Sequence, residues 1–223
     1  MAVSAELFLI HLAFINNSLR ILVRTDESKE TKVFPSIGLR NELFIFGAMN
    51  QLLHDTFQDL SLKDLEEWLN SSRYKNRIVE TFDRDLLFEQ NQSLAIVRAV
   101  AIPEEFCLKA KGEWFEINSL FSNETILAPD CKLFLRECIN LVPYWSCFTP
   151  FVFELLPEIF PINELRNYIN TITGKEIDPG NFHRRLKKLD ILKPVMAKNH
   201  QRVHKWEFYW EKDRVLSEQG LIS

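Results

Sequence analysis

The chain has 223 residues, of which 46% are hydrophobic and 26% charged, and its net charge is −4. This composition is typical of a globular protein with one large domain or two modest ones, and we find no internal repeat or low-complexity tract. The apolar run near the start is interrupted by Glu6, His11 and Asn16, which excludes a membrane span of about twenty residues. The beginning, MAVSAE, lacks the positive charge of a secretory leader, so we expect a cytoplasmic protein.

The charge is distributed unevenly along the chain. Residues 1–150 contain 15 Lys or Arg and 21 Asp or Glu. Residues 151–223 contain 12 Lys or Arg and 10 Asp or Glu. An acidic front and a cationic back predict two domains with different partners. We therefore predict one domain over residues 1–150 and a second over residues 151–223.

Strands and helices alternate in the front part. Two apolar segments, residues 6–14 and 19–24, flank Asn16-Asn17 and predict a β-hairpin. The remaining patterns predict helices over 42–56, 60–69 (capped by Ser61) and 128–141, and strands over 76–82, 93–102 and 111–117. Strands interleaved with helices indicate a mixed sheet with helices packed against it.

Four cysteines, Cys107, Cys131, Cys138 and Cys147, show no paired C-x-x-C spacing. That spacing would be expected of a zinc site or a redox motif. We therefore expect buried, reduced thiols and no metal.

The back part begins with two helical segments. Asn163 is a predicted helix start and Gly174 a predicted stop. Asp178 then caps a second helix, with Pro179 at its first position, where a missing N–H is harmless. The buried stripes are predicted to be Leu165, Tyr168, Ile169 and Ile172 in the first helix and Phe182, Leu186 and Leu189 in the second.

The other face of the second helix carries cations and amides, and a hairpin with a basic tip is predicted to follow Lys193-Pro194. Between Gly174 and Lys205 there are nine Lys or Arg against three acids, a local charge of +6 on an acidic protein. Helix, turn, helix and hairpin together with phosphate-binding charge predict a winged helix that binds double-stranded DNA. The predicted contacts are Asn181, His183, Arg184, Arg185, Lys187, Lys188, Lys198, Arg202 and Lys205. The alternative is an ordinary solvated surface.

Two further patterns have competing explanations. His200 and His204 have a spacing that could bind zinc in a helix, but they lack acidic or thiol companions and fall in the predicted wing. We therefore expect contact with phosphate or solvent. Prolines cluster near the predicted boundary, at positions 143, 150, 157 and 161, and predict a stiff linker through which one domain could act on the other.

The order of these features resembles the Nudix-related transcriptional regulators, in which a Nudix-like domain precedes a winged helix. The most specific match is LLPEIFPINELRNYINTITGKEIDPGNFHRRLKKLDILKP. Weaker matches cover almost all of the front: LAFINNSLRILV, VFPSIGL, AMNQLLHDTF, VETFDRD, SLAIVRAVAIP, GEWFEINSL and LAPDCKLFLRECI. The resemblance implies an α+β fold, a Nudix-like α/β/α sandwich with a mixed sheet followed by a winged helix-turn-helix domain.

The front departs from the family at the Nudix box, G-x5-E-x7-R-E-U-x-E-E-x-G, whose carboxylates hold magnesium against a diphosphate. Aligned on AMNQLLHDTF, the box positions are occupied here by Ser36, Glu42, Asn50, Gln51, His54, Asp55 and Phe57. Only Glu42 and Asp55 are acids, and Gln51 and His54 are poor magnesium ligands. We therefore hypothesise that hydrolysis is lost, that no metal or cofactor is bound, and that the pocket survives as a sensor. Ser36, His54 and Asp55 do not suggest a nucleophilic triad, because no G-x-S-x-G elbow surrounds the serine.

The resemblance implies a ligand-responsive transcription regulator that binds a palindromic operator as a homodimer. Some members of the family respond to ADP-ribose or related NAD metabolites, and others with degenerate boxes respond to a sugar such as arabinose, so the effector stays open between these and a sugar phosphate. Two alternatives stay open as well. One is a divergent Nudix hydrolase acting on a nucleoside diphosphate derivative, and the other is a protein-interaction module that does not bind DNA.

Overall fold

The structure, a computed structural model, describes residues 4–28, 30–39, 45–70, 78–88, 91–122, 127–195, 205–209 and 212–222. Its front part is built on a mixed sheet. The strands are β1 (Ser4–Ile15), β2 (Ser18–Asp26), β3 (Thr31–Val33), β4 (Ser36–Leu39), β5 (Ile78–Phe88), β6 (Asn91–Ala101) and β7 (Glu113–Glu116). Their spatial order is β3-β2-β1-β6-β5, with β4 pairing with β1 and β7 with β2. β1 runs parallel to β6 and antiparallel to β2 and β4, so the predicted mixed sheet is confirmed.

The predicted hairpin at the start of the chain is confirmed. Ile15 pairs with Ser18, and the two residues between them, Asn16 and Asn17, have φ values of 52° and 60°. Consecutive positive φ values are the geometry of the tight turn that matches the twist of paired strands, and asparagine tolerates it well.

Helices cover both faces of the sheet. They are α1 (Ile45–Thr56), α2 (Leu62–Asn70), α3 (Glu104–Cys107), α4 (Ile117–Ser122) and α5 (Pro129–Phe148). Alternate residues of β1 divide between the two cores: Leu7 and Leu9 pack with α1 and α2, whereas Ile10 and Leu12 pack with α5. The side-chain alternation of a strand thus produces the predicted α/β/α sandwich. Ser61 accepts a hydrogen bond from the Asp64 amide at 3.1 Å, as expected for the start of α2.

The back part consists of α6 (Phe151–Glu154), α7 (Ile162–Thr173), α8 (Pro179–Leu189), β8 (Leu192–Val195), β9 (Lys205–Phe208) and α9 (Asp213–Gln219). β8 and β9 are antiparallel, and Phe160 adds a further bridge to Trp206. The predicted helix, turn, helix and hairpin are confirmed, although the hairpin tip, residues 196–204, lies outside the described residues. One detail was wrong: α7 begins at Ile162 after Pro161, so Asn163 is inside the helix and does not cap it.

Helix α5 is longer than predicted. We expected it to end at Leu141, but it continues through Pro143 to Phe148, and Val142 and Trp145 in the extension are buried. Burial of this apolar segment outweighs the cost of one proline inside the helix. Only Thr149 and Pro150 separate α5 from α6, and Pro157 and Pro161 lie in the non-helical segment between α6 and α7.

The two parts share one continuous core. Phe14 of β1 contacts Tyr168 of α7 edge to face, with ring centroids 4.6 Å apart. Tyr168 is fully buried, and its hydroxyl lies 3.5 Å from the Ser146 Oγ of α5. The boundary that we predict at residues 150 and 151 falls between α5 and α6, and apolar packing crosses it.

The four cysteines are buried and unpaired, as expected. Burial raises the pKa of Cys107 to about 12 and that of Cys131 to about 11, so neither thiol is a ready nucleophile. Within the described ranges, no helix is both long and apolar enough to span a bilayer.

Candidate nucleic-acid interface and the degenerate front site

We call α8 the recognition helix. Its start is fixed by Asp178, whose Oδ1 accepts a hydrogen bond from the Asn181 amide at 2.7 Å, and Pro179 occupies the first turn as predicted. On its inner side Phe182, Leu186 and Leu189 are each no more than 3% exposed. Because these three side chains anchor the helix in the core, the opposite face must point to solvent.

That outer face carries the predicted polar residues. Exposed there are Asn181, His183, Arg184, Lys187 and Lys188. The Arg184 guanidinium donates a hydrogen bond to the Asn181 side-chain carbonyl, so the two side chains are oriented together. An amide beside a guanidinium offers the donors and acceptors that read base edges in a major groove.

Arg185 lies apart from this set. It is half-buried, and its guanidinium donates hydrogen bonds to the main-chain carbonyls of Gln219 and Gly220, the latter at 3.0 Å. The structure therefore places Arg185 against the C-terminal residues, away from the exposed face of the recognition helix.

The hairpin lies beside the recognition helix. His183 contacts Trp206 edge to face at 6.4 Å between ring centroids, and Lys205 is exposed at the start of β9. Lys198 and Arg202, and also His200 and His204, fall outside the described residues. The part of the wing that is described thus adds one predicted cation, Lys205, to the exposed set.

The front site differs from a Nudix box in its chemistry. Thr56, at the end of α1, is fully buried and accepts a hydrogen bond from Arg24 at 2.9 Å. Burial lowers the pKa of Arg24, and the Asp55 carboxylate opposes this shift by stabilising the charged form. Asp55 therefore serves as a counter-charge to a half-buried guanidinium.

Two other box positions, Ser36 and Phe57, make contacts within the protein. The Ser36 hydroxyl donates a hydrogen bond to Glu6 at 2.6 Å, and Phe57 is buried where the family has its closing glycine. Glu42 lies outside the described residues. Within the described part of the chain, no group of three His, Cys, Asp or Glu side chains could hold a metal ion.

Residues 152–210 match the NrtR DNA-binding winged helix domain. The chain is thus similar to NrtR in its winged helix. Its predicted resemblance to the Nudix-related transcriptional regulators is confirmed, and the matched segment contains the recognition helix and the strands of the wing.

The fold of the whole chain is similar to that of NrtR. NrtR from Shewanella oneidensis superposes with a TM-score of 0.74 at 11% identity, covering 98% of both chains. The same protein in complex with a 27mer DNA superposes with a TM-score of 0.73 at 11% identity, covering 98% of this chain and 97% of the other. A MutT/nudix family protein from Enterococcus faecalis superposes with a TM-score of 0.69 at 13% identity, covering 93% of this chain and 87% of the other. No curated protein matches the chain in sequence. At these identities the structural likeness confirms the Nudix-like fold joined to a winged helix.

A cavity of about 220 Å³ lies between the Nudix-like front and the winged helix. It is bounded by the start of β2, by β7 and α4, by α5 and by α7. Its lining residues are Ser18, Leu19, Glu116, Ile117, Asn118, Ile139, Val142, Thr171 and Ile172. Sequence reasoning missed this site because its residues come from four separated segments that only the fold brings together.

The front sheet also contains a buried histidine. His11 of β1 is fully buried beneath Phe57, with ring centroids 6.0 Å apart. Burial, reinforced by the positive charge of Arg24, lowers the pKa of His11 to about 3. The imidazole is therefore neutral at physiological pH.

Proposed function

We propose that this protein regulates transcription by binding an operator as a homodimer and by responding to a small metabolite. The observation that carries the proposal is the exposed polar face of the recognition helix, within a segment that matches the NrtR DNA-binding winged helix. The fold of NrtR, with which the chain aligns over almost its full length, has been determined in complex with a 27mer DNA. Double-stranded DNA is therefore the proposed macromolecular partner.

The exposed residues suit different parts of a DNA duplex. Asn181 and Arg184 are proposed to read base edges, since paired donors and acceptors discriminate bases in the major groove. Lys187, Lys188 and Lys205 are proposed to bind phosphates, with His183 adjacent. Lys198 and Arg202, which lie outside the described residues, are proposed as further phosphate contacts on sequence grounds. Phosphate contacts supply affinity and its dependence on salt, whereas base contacts supply specificity.

The homodimer is proposed on geometric grounds. One recognition helix contacts only a few base pairs, which gives too little affinity and specificity for an operator. Two copies related by a two-fold axis would place their helices one DNA turn apart on a palindromic site.

The Nudix-like domain is proposed to be catalytically silent. Hydrolysis of a diphosphate in this fold needs several carboxylates around magnesium. Here Asp55 stabilises Arg24, and Gln51 and His54 replace two carboxylates of the box. These substitutions favour binding of a metabolite without its cleavage.

The effector is proposed to be a sugar, a sugar phosphate or an ADP-ribose-like metabolite. The cavity between the two parts, at about 220 Å³, lies below the range of roughly 300 to 1,000 Å³ that drug-sized ligands occupy. Its size favours the smaller ligands of this set. A ligand held there would contact both the edge of the front sheet and α7.

The deciding experiment is an electrophoretic mobility-shift titration of the protein on its own upstream DNA. Binding is expected to weaken steeply as salt rises and to change on addition of a pentose, a pentose phosphate or ADP-ribose. Binding to no DNA fragment at low salt would overturn the regulator proposal. Magnesium-dependent release of phosphate from ADP-ribose at enzymatic rates would overturn catalytic silence and favour the divergent hydrolase.

A further inference from the structure

The C-terminal tail, residues 212–222, follows directly on the winged helix and lies beyond the segment that matches the NrtR domain. Its helix α9 ends at Gln219 and is followed by Gly220. The last carbonyls of a helix carry a partial negative charge and lack partners within the helix. Arg185 supplies partners at this end, because its guanidinium donates to two carbonyls, those of Gln219 and Gly220. A residue of the recognition helix thus caps the tail helix.

The far side of the tail is fixed to α5. The Leu221 amide donates to the Cys147 carbonyl at 2.7 Å, and Leu216 and Leu221 are fully buried. Gly220 has a φ of 67°, and a Cβ at this position would lie 2.7 Å from the Phe148 ring. Only glycine fits here, since any larger residue would meet both an unfavourable backbone conformation and the aromatic ring.

A second contact ties the tail to the end of the recognition helix. Lys212 forms an ion pair with Asp190, the residue that terminates α8 in the left-handed conformation at φ 52°. The recognition helix is therefore held by the tail at Arg185 and again at its C-terminal end.

Helix α5, to which the tail is attached, also packs against the front sheet. Helix α5 packs Phe134, Leu135 and Cys138 into the core that contains Ile10 and Leu12 of β1. A continuous set of contacts thus runs from the front sheet through α5 and the tail to Arg185.

We propose that the C-terminal tail is a brace that sets the orientation of the recognition helix relative to α5, and that Arg185 is its positioning residue rather than a DNA contact. The proposal rests on the proposed function for its DNA-binding readout. It replaces our sequence-based prediction for Arg185 and leaves that for its neighbour Arg184 unchanged.

The salt dependence of DNA binding separates the two roles. Removing a phosphate-binding cation lowers the slope of log affinity against log salt by about one. Removing a residue that acts through the tail weakens binding but leaves that slope unchanged, because the number of counterions released by the complex is the same.

The test compares Arg185→Met with Arg184→Met, which both keep an unbranched stem and remove the charge. For Arg185→Met we expect roughly fivefold weaker operator binding with an unchanged salt slope, and partial rescue by Arg185→Lys. Gly220→Ala should weaken binding similarly, and the double variant Arg185→Met/Gly220→Ala should be no weaker than either single variant. A slope reduced by about one in Arg185→Met would show a direct DNA contact, and full additivity would show that Arg185 and Gly220 act independently. Either result would overturn the proposal.

Hydrogen exchange of the free protein keeps the test independent of DNA. In Arg185→Met the amides of Gly220 and Leu221 should exchange at least tenfold faster, while those of the recognition helix core stay protected. If the wild-type chain binds no DNA, the proposed function fails and this measurement still decides whether Arg185 holds the tail. Unchanged exchange in the tail would overturn the brace.

Discussion

Helix α1 of the front and the recognition helix of the back both align with functional segments of the same family, yet they use their polar residues in opposite ways. In the recognition helix, Arg184, Lys187 and Lys188 point to solvent while apolar residues hold the other face. At the end of α1, the buried Thr56 accepts a hydrogen bond from Arg24, and the Asp55 carboxylate stabilises the charged form of that guanidinium. The comparison shows that two helices aligned with binding segments of one family can differ in whether their polar side chains face solvent or contact other residues of the protein.

The two helices differ in what their polar groups are free to bind. Polar groups that already satisfy one another cannot bind a metal without breaking those contacts. Cations held on a rigid helix with few partners are free to exchange water and counterions for phosphate. The recognition helix thus presents cations to solvent, whereas at the end of α1 a buried threonine and an acid act on Arg24.

The largest expected effect follows from reversing charge on the exposed face. The double variant Lys187→Glu/Lys188→Glu should bind operator at least about 100-fold more weakly, because two proposed phosphate contacts become repulsive. Mobility-shift titration at fixed salt measures this. The control, Lys63→Glu/Lys109→Glu, makes the same change in charge on exposed lysines of the front. An equal loss of operator affinity in both double variants would indicate a general effect of net charge. It would contradict a specific role of the recognition helix in phosphate binding.

A smaller effect concerns the buried front site and depends on pH. The folded pKa of His11, about 3, lies below its unfolded value of 6.5, so only the unfolded chain takes up this proton as pH falls through 6.5. The free energy of unfolding is therefore unaffected by the titration of His11 above pH 6.5. Below pH 6.5 it declines by about 1.4 kcal/mol per pH unit. Denaturant unfolding at pH 7.5 and pH 5.5 should show this decline in the wild type and a weaker one in His11→Leu. Identical pH dependence in both proteins would contradict the burial of a neutral imidazole.

The smallest expected effect concerns the start of the recognition helix. Asp178→Ala removes the cap on the Asn181 amide and should lower the free energy of unfolding by about 1 kcal/mol. Thermal or denaturant unfolding measures the change. Asp59→Ala, at an exposed position in the front, is the control and should leave stability nearly unchanged. An equal loss in the control would mean that the cap contributes nothing specific.

The sequence by itself determined where the recognition helix lies and which face it exposes. Its signals are local: Asp178 and Pro179 begin the helix, Gly174 ends the one before, and the spacing of Phe182, Leu186 and Leu189 orients it. The asparagine turn of the first hairpin was predictable for the same reason. In each case the residues that decide the conformation are a few positions apart.

Only the tertiary structure decided where Arg185 points, how far α5 extends and that a cavity forms between the two parts. Arg185 contacts carbonyls 34 and 35 positions away, and α5 continues through Pro143 because both the front sheet and the winged helix bury it. These three features depend on which segments, distant in sequence, bury apolar surface against one another in the folded protein. The local sequence pattern does not contain that information.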